Sequence, residues 1–434
     1  MSDDDHDDDE RGEKVPTGRL SRFAKLISVG ARTGASLLLS RDGRGAAEHA
    51  AEVLGSLRGL AAKVGQMASY VDGFVPDEHR ESYEKAMGKL LSSTPQSSPA
   101  SIRRVVESEL GKPVAELFAT WDDEPLASAS IGQVHRATLH GGREVAVKVQ
   151  HPGIERAIES DLNNAGVLQS MVGVLVSKNI GVKDVFEIVK QRFREELDYE
   201  LEARRQRRFK EFHAGDEWIR VPEVIADRSS RRVLTSELVT GVSLDEIAST
   251  ANEERRRHLA ETLWRFVFRG NLVAGMFNAD PHPGNYKFAD DGCVWFLDFG
   301  CVQEIGEHEL TWARKTHHAA LEGNEAGFER GVANMMFLKG GAYERAVLDY
   351  VRLCFRPLFE SPFRFERNYV TKVVREIQSL KRFTMSRDPS VVAMPPGLVF
   401  MNRLQFGFYS VLARLDVDAD YAGVERRVME TDGI

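Results

Sequence analysis

The spacing of apolar side chains divides the sequence into segments with different predicted structures. Between residues 17 and 91, apolar residues recur at intervals of three and four, which is typical of amphipathic helices. A Ser/Pro-rich break over residues 92–99 follows and closes with Ser98-Pro99, a suitable N-cap and first-turn proline for a helix running to Glu109. This pattern predicts a helical extension ahead of the first strands.

The pattern changes after Trp121, where alternation replaces the helical interval. Two strands are predicted at 131–139 and 143–150, joined by the turn His140-Gly141-Gly142. Valines alternate with other residues along the second strand, and a Gly-Gly turn suits a tight connection. The two segments are therefore predicted to form a β-hairpin.

The rest of the pattern alternates helices with short strands and then becomes mostly helical up to residue 415. The predicted helices span residues 153–175, 183–212 and 252–274, and the predicted strands lie near 220–226, 231–238 and 293–300. We therefore predict an α+β protein with two lobes, joined by a connector at 237–241. The predicted limits are an acidic tail at 1–16, a helical extension at 17–120, a smaller lobe at 121–240 and a larger, mainly helical lobe at 241–434.

Lys148 stands out chemically because it interrupts the apolar second strand of the hairpin. A buried, unpaired ammonium group is costly, so this lysine must either reach the sheet edge or meet an anion. On the helix predicted at 183–212, Glu195, Asp198 and Glu202 are spaced so that three carboxylates would lie along one face. A carboxylate there can pair with Lys148 and hold it toward a phosphate; a solvated acidic face is the alternative.

A proline-stiffened loop, DPHPGN, places Asp280 and Asn285 five residues apart. Phosphoryl transfer needs an acceptor for the proton of the nucleophile and an oxygen ligand for Mg²⁺, and these residue types meet both needs. A plain tight turn is the alternative, since Pro, Gly, Asn and Asp dominate turns. After a further apolar strand, Asp298 precedes a Phe-Gly pair, where a metal ligand is expected. The ordered set predicts phosphoryl-transfer chemistry.

The order of these residues is similar to that of the protein-kinase-like fold, and four motifs resemble those of the UbiB family of atypical kinases. They are KxGQ at Lys63-Val-Gly-Gln66, an Ala-rich loop at 127–135 in place of the Gly-rich loop of ordinary kinases, ExD at Glu196-Leu-Asp198, and the DPHPGN form of the catalytic loop. The resemblance covers residues 45–415. It implies an α+β, bilobal protein-kinase-like fold with an N-terminal helical extension that carries the KxGQ motif.

The resemblance also implies a role for each matching residue. Lys148 would contact the nucleotide phosphates and pair with Glu202, and Asp280 would be the catalytic-loop aspartate. Asn285 and Asp298 would hold Mg²⁺. The nucleotide-contacting residues that it implies are Ala127, Ser128, Ala129, Ser130, Ile131, Gly132, Val134, Lys148, Glu237 and Val239. A regulatory group would lie over the active site, where a peptide would otherwise enter, and it consists of Lys63, Gln66, Glu196 and Asp198.

The activity implied by the resemblance is that of a kinase or ATPase that binds ATP or ADP with Mg²⁺. It would support ubiquinone or isoprenoid-lipid metabolism, with a quinone precursor or lipid as partner and little protein kinase activity in trans. Two alternatives stay open: a nucleotide-gated, pseudokinase-like regulatory or lipid-binding module, and a small-molecule phosphotransferase similar to antibiotic and choline kinases. The sequence departs from the family at Asn278, where the family often has His, and this change affects the rigidity of the loop.

Charge and composition change this picture in few places. Six aspartates and two glutamates against one arginine and one lysine in residues 1–14 account for six of the eight net negative charges. The first 16 residues are therefore predicted to be a disordered tail, and the nearly neutral remainder argues against a nucleic-acid partner. Three cysteines without CxxC spacing exclude a disulfide framework and a zinc site.

Membrane association is predicted only at the surface of a bilayer. No run of the sequence approaches the roughly 18 apolar residues of a membrane helix, so a cytoplasmic protein is expected. The basic, apolar stretch at residues 19–41 is expected to pack against the kinase-like lobe. The alternative is an interfacial amphipathic helix, which would give peripheral contact with the inner membrane.

Overall fold

The computed structural model describes residues 97–129, 131–162, 190–384, 390–392 and 401–434. The predicted acidic tail, the stretch at 19–41, the KxGQ residues Lys63 and Gln66, and Ser130 of the Ala-rich loop lie outside these ranges. The described chain forms two compact units. The first comprises the described part of 97–162 together with Arg228–Thr235, and the second comprises 190–227 together with the described part of Ser236–Ile434. The predicted limits of the two lobes stay predictions.

The first unit is a small sheet with short helices. Its elements are α1 (Pro99–Leu110), α2 (Val114–Leu117), β1 (Thr120–Trp121), β2 (Ala127–Ser128), β3 (Gly132–Thr138), β4 (Glu144–Gln150) and α3 (Ile154–Leu162). Strands β1, β2 and β4 all pair antiparallel with β3. The strand Val233–Glu237, which begins in this unit and is numbered β6 below, lies beside β4.

The predicted hairpin and the predicted helix after Ser98 are both confirmed. The β3–β4 ladder is continuous over seven residue pairs. In its turn, Gly142 has a φ of 81°, a left-handed conformation that favours glycine. Helix α1 begins at Pro99, and Ser98 precedes it in an extended conformation, although the Ser98 side chain makes no capping hydrogen bond.

The second unit holds the larger helical part of the chain. Its helices are residues 190–196, α4 (Tyr199–Phe212), α5 (Leu244–Thr250), α6 (Glu253–Arg269), α7 (Glu307–Leu321), α8 (Glu325–Met335), α9 (Gly341–Cys354), α10 (Arg356–Phe359), α11 (Arg367–Thr384), α12 (Met401–Leu415) and α13 (Tyr421–Asp432). Its strands are β5 (Ile219–Arg220), the end of β6, β7 (Met276–Asn278), β8 (Tyr286–Phe288), β9 (Val294–Phe296), β10 (Val302–Glu304), β11 (Phe363–Arg364) and β12 (Asp418–Ala419). The pairs β7–β10 and β11–β12 form two-stranded sheets, and β5, β9 and β8 form a third. Within the described ranges, none of the helices combines the length and the apolar character needed to cross a bilayer.

The single helix predicted over 183–212 is wrong within its described part. Residues 190–196 are helical, the chain leaves the helix at Leu197, and α4 starts after Asp198. The Asp198 carboxylate accepts a hydrogen bond from the Leu201 amide at 2.9 Å. An aspartate that caps a free amide in this way competes with continuation of the helix. Glu195, Asp198 and Glu202 therefore do not share one face of one helix.

The other predicted elements of the second unit are partly confirmed. The helix predicted at 252–274 is α6 followed by a π-helical turn at Gly270–Ala274. The strand predicted near 220–226 is the two-residue β5, with an isolated bridge between Val224 and Ser236 further on. The three-residue strands β7, β8 and β10 are missing from the predicted set. They are too short to show an alternating pattern, and two of them flank the DPHPGN loop.

Aromatic side chains form much of the core of the second unit. Trp264 is 1% exposed, and its ring centroid lies 4.5 Å from that of Tyr421. The indole N–H of Trp264 donates to Glu425 Oε1 at 3.0 Å, and the other carboxylate oxygen of Glu425 lies 2.7 Å from His317 Nδ1. A fully buried carboxylate thus has partners for both of its oxygens, which joins α6, α7 and α13.

Candidate functional site

The β-hairpin of the first unit presents Lys148 on its half-buried face. Val134 lies opposite Lys148 in the ladder, and Ala127 lies opposite Val134, so these three side chains share one face of the sheet. The valines of β4 point to the other face and are fully buried. Because side chains alternate between the two faces of a strand, Lys148 lies outside the core although β4 is otherwise mostly apolar.

Ala146 is a candidate nucleotide contact that the predicted set omits. It lies two residues before Lys148 in β4, is half-buried, and shares the face of Lys148 and Val134. Together these residues make an apolar surface beside one ammonium group. The period of two along VAVK is the signal that identifies Ala146.

The Ala-rich loop is held by hydrogen bonds within the first unit. The Ala129 amide donates to the Gly132 carbonyl at 2.7 Å, and the His151 amide donates to the Ile131 carbonyl at 2.9 Å. His151 Nε2 lies 3.1 Å from the Ala129 carbonyl, and its Nδ1 lies 2.8 Å from the Ser97 hydroxyl. His151, which is absent from the predicted set, thus connects the loop to Ser97, two residues before α1.

The buried face of the hairpin carries a polar network around His135. Its Nδ1 lies 2.9 Å from the Asp122 carbonyl, its Nε2 lies 2.9 Å from Gln133 Nε2, and its ring stacks on Trp121 at 4.9 Å. Burial lowers the pKa of His135 below its ordinary value. A neutral, fully bonded imidazole is a structural element of the sheet.

In the second unit, the DPHPGN loop brings Asp280 and Asn285 together. The Asn285 side-chain amide donates to the Asp280 carbonyl at 2.9 Å and to its carboxylate at 3.3 Å. His282 is also engaged locally, because its Nδ1 accepts a hydrogen bond from the Gly284 amide at 3.0 Å. The loop is therefore a set of side-chain bonds around Asp280 and more than a simple turn.

Asn278 joins this loop to Asp298, which lies two residues after the end of β9. Its side-chain oxygen accepts from the Asp280 amide at 3.0 Å, and its side-chain nitrogen donates to the Asp298 carbonyl. The Ala279 amide adds a bond of 2.7 Å to the Cys301 carbonyl. The asparagine that departs from the family pattern thus still supports the loop.

The β8–β9 pairing places Asn285 and Asp298 at the same end of one hairpin. Tyr286 lies opposite Phe296, and the Leu297 amide donates to the Asn285 carbonyl at 3.0 Å. Asp298 follows directly. The buried Tyr286 side chain beneath this end has a pKa raised well above its ordinary value, by burial and to a smaller extent by the Asp280 carboxylate.

Glu202 belongs to the same region of the second unit. It is 3% exposed on α4. A methyl group built on Gly300 would lie 3.3 Å from Asp298 Oδ1 and 3.7 Å from Glu202 Oε2, so both carboxylates border this glycine. The Gly300 amide also donates to Asp298 Oδ1 at 2.9 Å. The structure thus brings Asp280, Asn285, Asp298 and Glu202 close to one another through backbone and side-chain contacts.

The remaining predicted residues of the second unit lie at the start of α4, on the helical segment before it and in the connector. Asp198 caps α4, and Glu196 precedes it on the helical segment 190–196. Glu237 and Val239 are half-buried in the connector, where the Glu237 carboxylate accepts from the Glu223 amide at 3.2 Å. Lys148 and the residues of the Ala-rich loop belong to the other unit. The predicted pairing of Lys148 with Glu202 therefore stays a prediction, and so does a nucleotide shared between the loop and the metal ligands.

The donor set at the end of the β8–β9 hairpin fits a hard divalent cation. Mg²⁺ prefers oxygen ligands and is commonly held by one or two protein side chains, with water and phosphate completing its shell. The Asn285 amide nitrogen donates to Asp280, and the strand pairing brings Asn285 and Asp298 to the same end of the β8–β9 hairpin. Across the described residues, no group of three or more His, Cys, Asp or Glu side chains could hold a metal ion by itself.

Comparison with known proteins identifies the family of the chain. Residues 89–331, more than half of the chain, match the family model described as the ABC1 atypical kinase-like domain. The chain belongs to the UbiB family of ABC1 atypical kinase-like proteins. Its fold is accordingly the α+β, kinase-like fold that its sequence predicts.

Several members of the UbiB family are similar over much of the chain. The mitochondrial atypical kinase COQ8B of Danio rerio is 30% identical over 78% of this chain and 58% of its own length. The chloroplastic protein ACTIVITY OF BC1 COMPLEX KINASE 7 of Arabidopsis thaliana is 34% identical over 56% of this chain and 35% of its own length. This chain thus spans between about a third and three fifths of these two relatives.

A solved structure supports the fold over nearly the whole chain. The complex of Rv3197 with erythromycin, from Mycobacterium tuberculosis, has a TM-score of 0.61 and 28% sequence identity. The match covers 95% of this chain and 98% of that protein.

Proposed function

We propose that this UbiB-family chain binds ATP with Mg²⁺ and acts as a slow ATPase or small-molecule kinase that supports quinone or isoprenoid-lipid metabolism. The observation that carries the proposal is the set of hydrogen bonds that joins Asp280 and Asn285 to the segment after β9 that contains Asp298. Phosphoryl transfer requires an acceptor for the nucleophile's proton and oxygen ligands for a metal ion, and this set contains both. Membership of a kinase-like family supports the same chemistry.

Each residue has a defined task in this proposal. Asp280 accepts the proton of the attacking hydroxyl or water, and the hydrogen bond from Asn285 orients the Asp280 carboxylate. Lys148 contacts the phosphates, while the apolar face of the hairpin contacts the base. Mg²⁺, if bound by Asn285 and Asp298, would neutralise charge on the transferring phosphate. ADP binding, a quinone-precursor or lipid partner and peripheral membrane contact belong to the proposal on the strength of the sequence resemblance alone.

The binding step is tested by thermal unfolding with and without Mg-ATP. Ligand that binds only the folded state stabilises it by RT ln(1 + [L]/Kd), which is about 2.7 kcal/mol at a hundredfold excess over Kd. We expect wild type to be stabilised and Asp298→Asn to lose this stabilisation. Asp290→Asn is the matched control, because Asp290 is fully exposed in the turn between β8 and β9, at the other end of the same hairpin. Equal stabilisation of wild type and Asp298→Asn would contradict the proposal.

A nucleotide-gated regulatory module is the second candidate, and one observation favours it. The Ala129 amide donates within its own loop, to Gly132, so it is engaged before any phosphate arrives. Because this amide is already bonded, the loop is restrained, and a restrained loop is expected to favour nucleotide retention over rapid turnover. ATP hydrolysis measured with and without lipid vesicles or phenolic quinone precursors separates the two: turnover that Asp280→Asn abolishes supports catalysis, whereas binding without turnover supports the module.

A further inference from the structure

The backbone just after Asp298 is held by a half-buried ionic cluster formed by Arg192, Glu195 and Arg205. Glu195 Oε2 accepts hydrogen bonds from both guanidinium groups, each at 2.8 Å. The side chains of Glu195, Arg192 and Arg205 are only 14%, 15% and 17% exposed. Charge pairs this far from water are screened little, so they interact more strongly than surface pairs do.

Both guanidinium groups also donate to the chain that follows Asp298. Arg205 Nη1 lies 3.0 Å from the Gly300 carbonyl, and Arg192 Nη1 lies 3.1 Å from the Val302 carbonyl. Arg192 further donates to the Gln303 side chain. Because arginine presents several donors in a fixed plane, one guanidinium can bind a carboxylate and a carbonyl together. The cluster therefore connects the helical segment 190–196 and α4 to the segment 300–303.

This connection passes next to both carboxylates of the candidate metal region. Arg205 lies one helical turn after the buried Glu202, and the glycine whose carbonyl it holds is bordered by Glu202 and Asp298. Glu195 orients the two arginines, since both lie within 2.8 Å of one of its oxygens. Without that shared anion the arginines would repel each other and lose their orientation.

We propose that Glu195 is a positioning residue for the metal site: through Arg192 and Arg205 it fixes the segment after Asp298 and thereby the carboxylate of Asp298. This inference rests on the proposed function, because it assigns Asp298 to a divalent cation. Glu195 touches neither cation nor nucleotide in this scheme. Its effect on ligand binding is confined to the strength of metal binding.

The chain provides a control pair of closely similar burial. Arg269 and Asp432 form a two-pronged ion pair with exposures of 20% and 14%, and they join α6 to the end of α13. Asp432→Asn and Glu195→Gln each remove one carboxylate charge from a half-buried ion pair with arginine, and neither changes the size of the side chain. Of the two carboxylates, only Glu195 is bonded to the arginines that hold the segment after Asp298, so only Glu195→Gln should loosen that segment.

The first measurement is the Mg²⁺ concentration dependence of ATP binding by the full chain. Loss of a residue that orients a metal ligand typically weakens metal affinity by about 10- to 100-fold, so Glu195→Gln should raise the apparent Kd for Mg²⁺ by about tenfold or more. ATP affinity without Mg²⁺ should change less than about twofold in Glu195→Gln, because Asp298 then has no metal to hold. Asp432→Asn should match wild type in both.

The second measurement is amide hydrogen exchange of residues 299–304 without ligand. Glu195→Gln should exchange faster there than wild type, and Asp432→Asn should not. Arg205→Lys, which keeps the charge but loses the planar fork, should give the same two effects as Glu195→Gln and covers the case in which that variant fails to fold.

The outcomes separate the inference from the function on which it rests. Unchanged Mg²⁺ dependence in Glu195→Gln and Arg205→Lys, or an equal change in Asp432→Asn, overturns the positioning role. If wild type shows no Mg²⁺-dependent binding of ATP, the proposed function fails instead. In that case the exchange experiment still tests whether the cluster holds the segment after Asp298. Equal exchange in all variants would show that it does not.

Discussion

His213 ends α4 among the aromatic rings of Phe209, Phe212 and Phe266. It is 2% exposed, and neither of its ring nitrogens has a hydrogen-bond partner within the described chain. Burial lowers its pKa to about 3, with Arg269 and Arg265 adding to the shift and Asp432 opposing it. Because the folded protein resists protonation that the unfolded chain accepts, His213 costs stability in acid.

This shift predicts the direction of a pH effect on stability. Above pH 6.5, the ordinary pKa of histidine, protonation of His213 adds little pH dependence to the free energy of unfolding. Below that pH, its contribution lowers this free energy progressively until the pH reaches about 3. Each unit of pH in this window costs about 1.4 kcal/mol, so moving from pH 7.5 to 5.0 should cost wild type about 2 kcal/mol more than His213→Phe. Urea unfolding at both pH values measures the difference. The exposed His318 supplies the control variant, His318→Phe, and identical pH dependence in all three proteins would contradict the assignment.

Single residues also show where sequence reasoning succeeds and fails. Lys148, Asp280, Asn285 and Asp298 stand out because their chemistry contrasts with apolar or proline-rich surroundings. The structure has Lys148 on β4, Asp280 and Asn285 in the loop before β8, and Asp298 just after β9, while their functional roles stay predictions. Ala146 has no such contrast and appears only once the faces of the hairpin are known.

At the scale of elements, local signals predict local structure. The β3–β4 hairpin follows from alternation and a Gly-Gly turn, because strand pairing and turn involve adjacent residues. The break before α4 does not follow, since an aspartate within a charged helical sequence can either point to solvent or cap a new helix. Asp198 takes the second option through the Leu201 amide. Strands β7 and β10 depend on pairing across the DPHPGN loop and have almost no local signature.

The cap at Asp198 has a measurable contribution to stability. Replacing an aspartate N-cap by alanine typically costs about 1 kcal/mol, so Asp198→Ala should lower the free energy of unfolding by about that amount. Asp198→Asn keeps a capping oxygen and should cost much less. Denaturant unfolding of the three proteins tests this, with Asn252→Ala, which removes the cap of α6, as a reference for size. Equal stability of Asp198→Ala and wild type would show that the break has another cause.

At the scale of the whole molecule, contacts between distant parts of the sequence decide what the site contains. Arg205 and Gly300 are 95 residues apart, and Arg192 and Val302 are 110 apart, so no sequence pattern reveals that they meet. The family assignment does follow from the sequence, because its motifs are matched residue by residue. The predicted pairing of Lys148 with Glu202 is of the first kind and stays a prediction, as do the roles of Lys63 and Gln66.

The central claim is that Mg-ATP binding requires both Lys148 and Asp298. Calorimetric titration of the full chain with ATP in excess Mg²⁺ tests it most directly. A charge-assisted contact contributes about 1.5–3 kcal/mol, so Lys148→Ala and Asp298→Asn should each weaken binding by about tenfold or more relative to wild type. The account predicts one saturable site per chain with both losses. Absence of binding by wild type, or wild-type affinity in either variant, would contradict it.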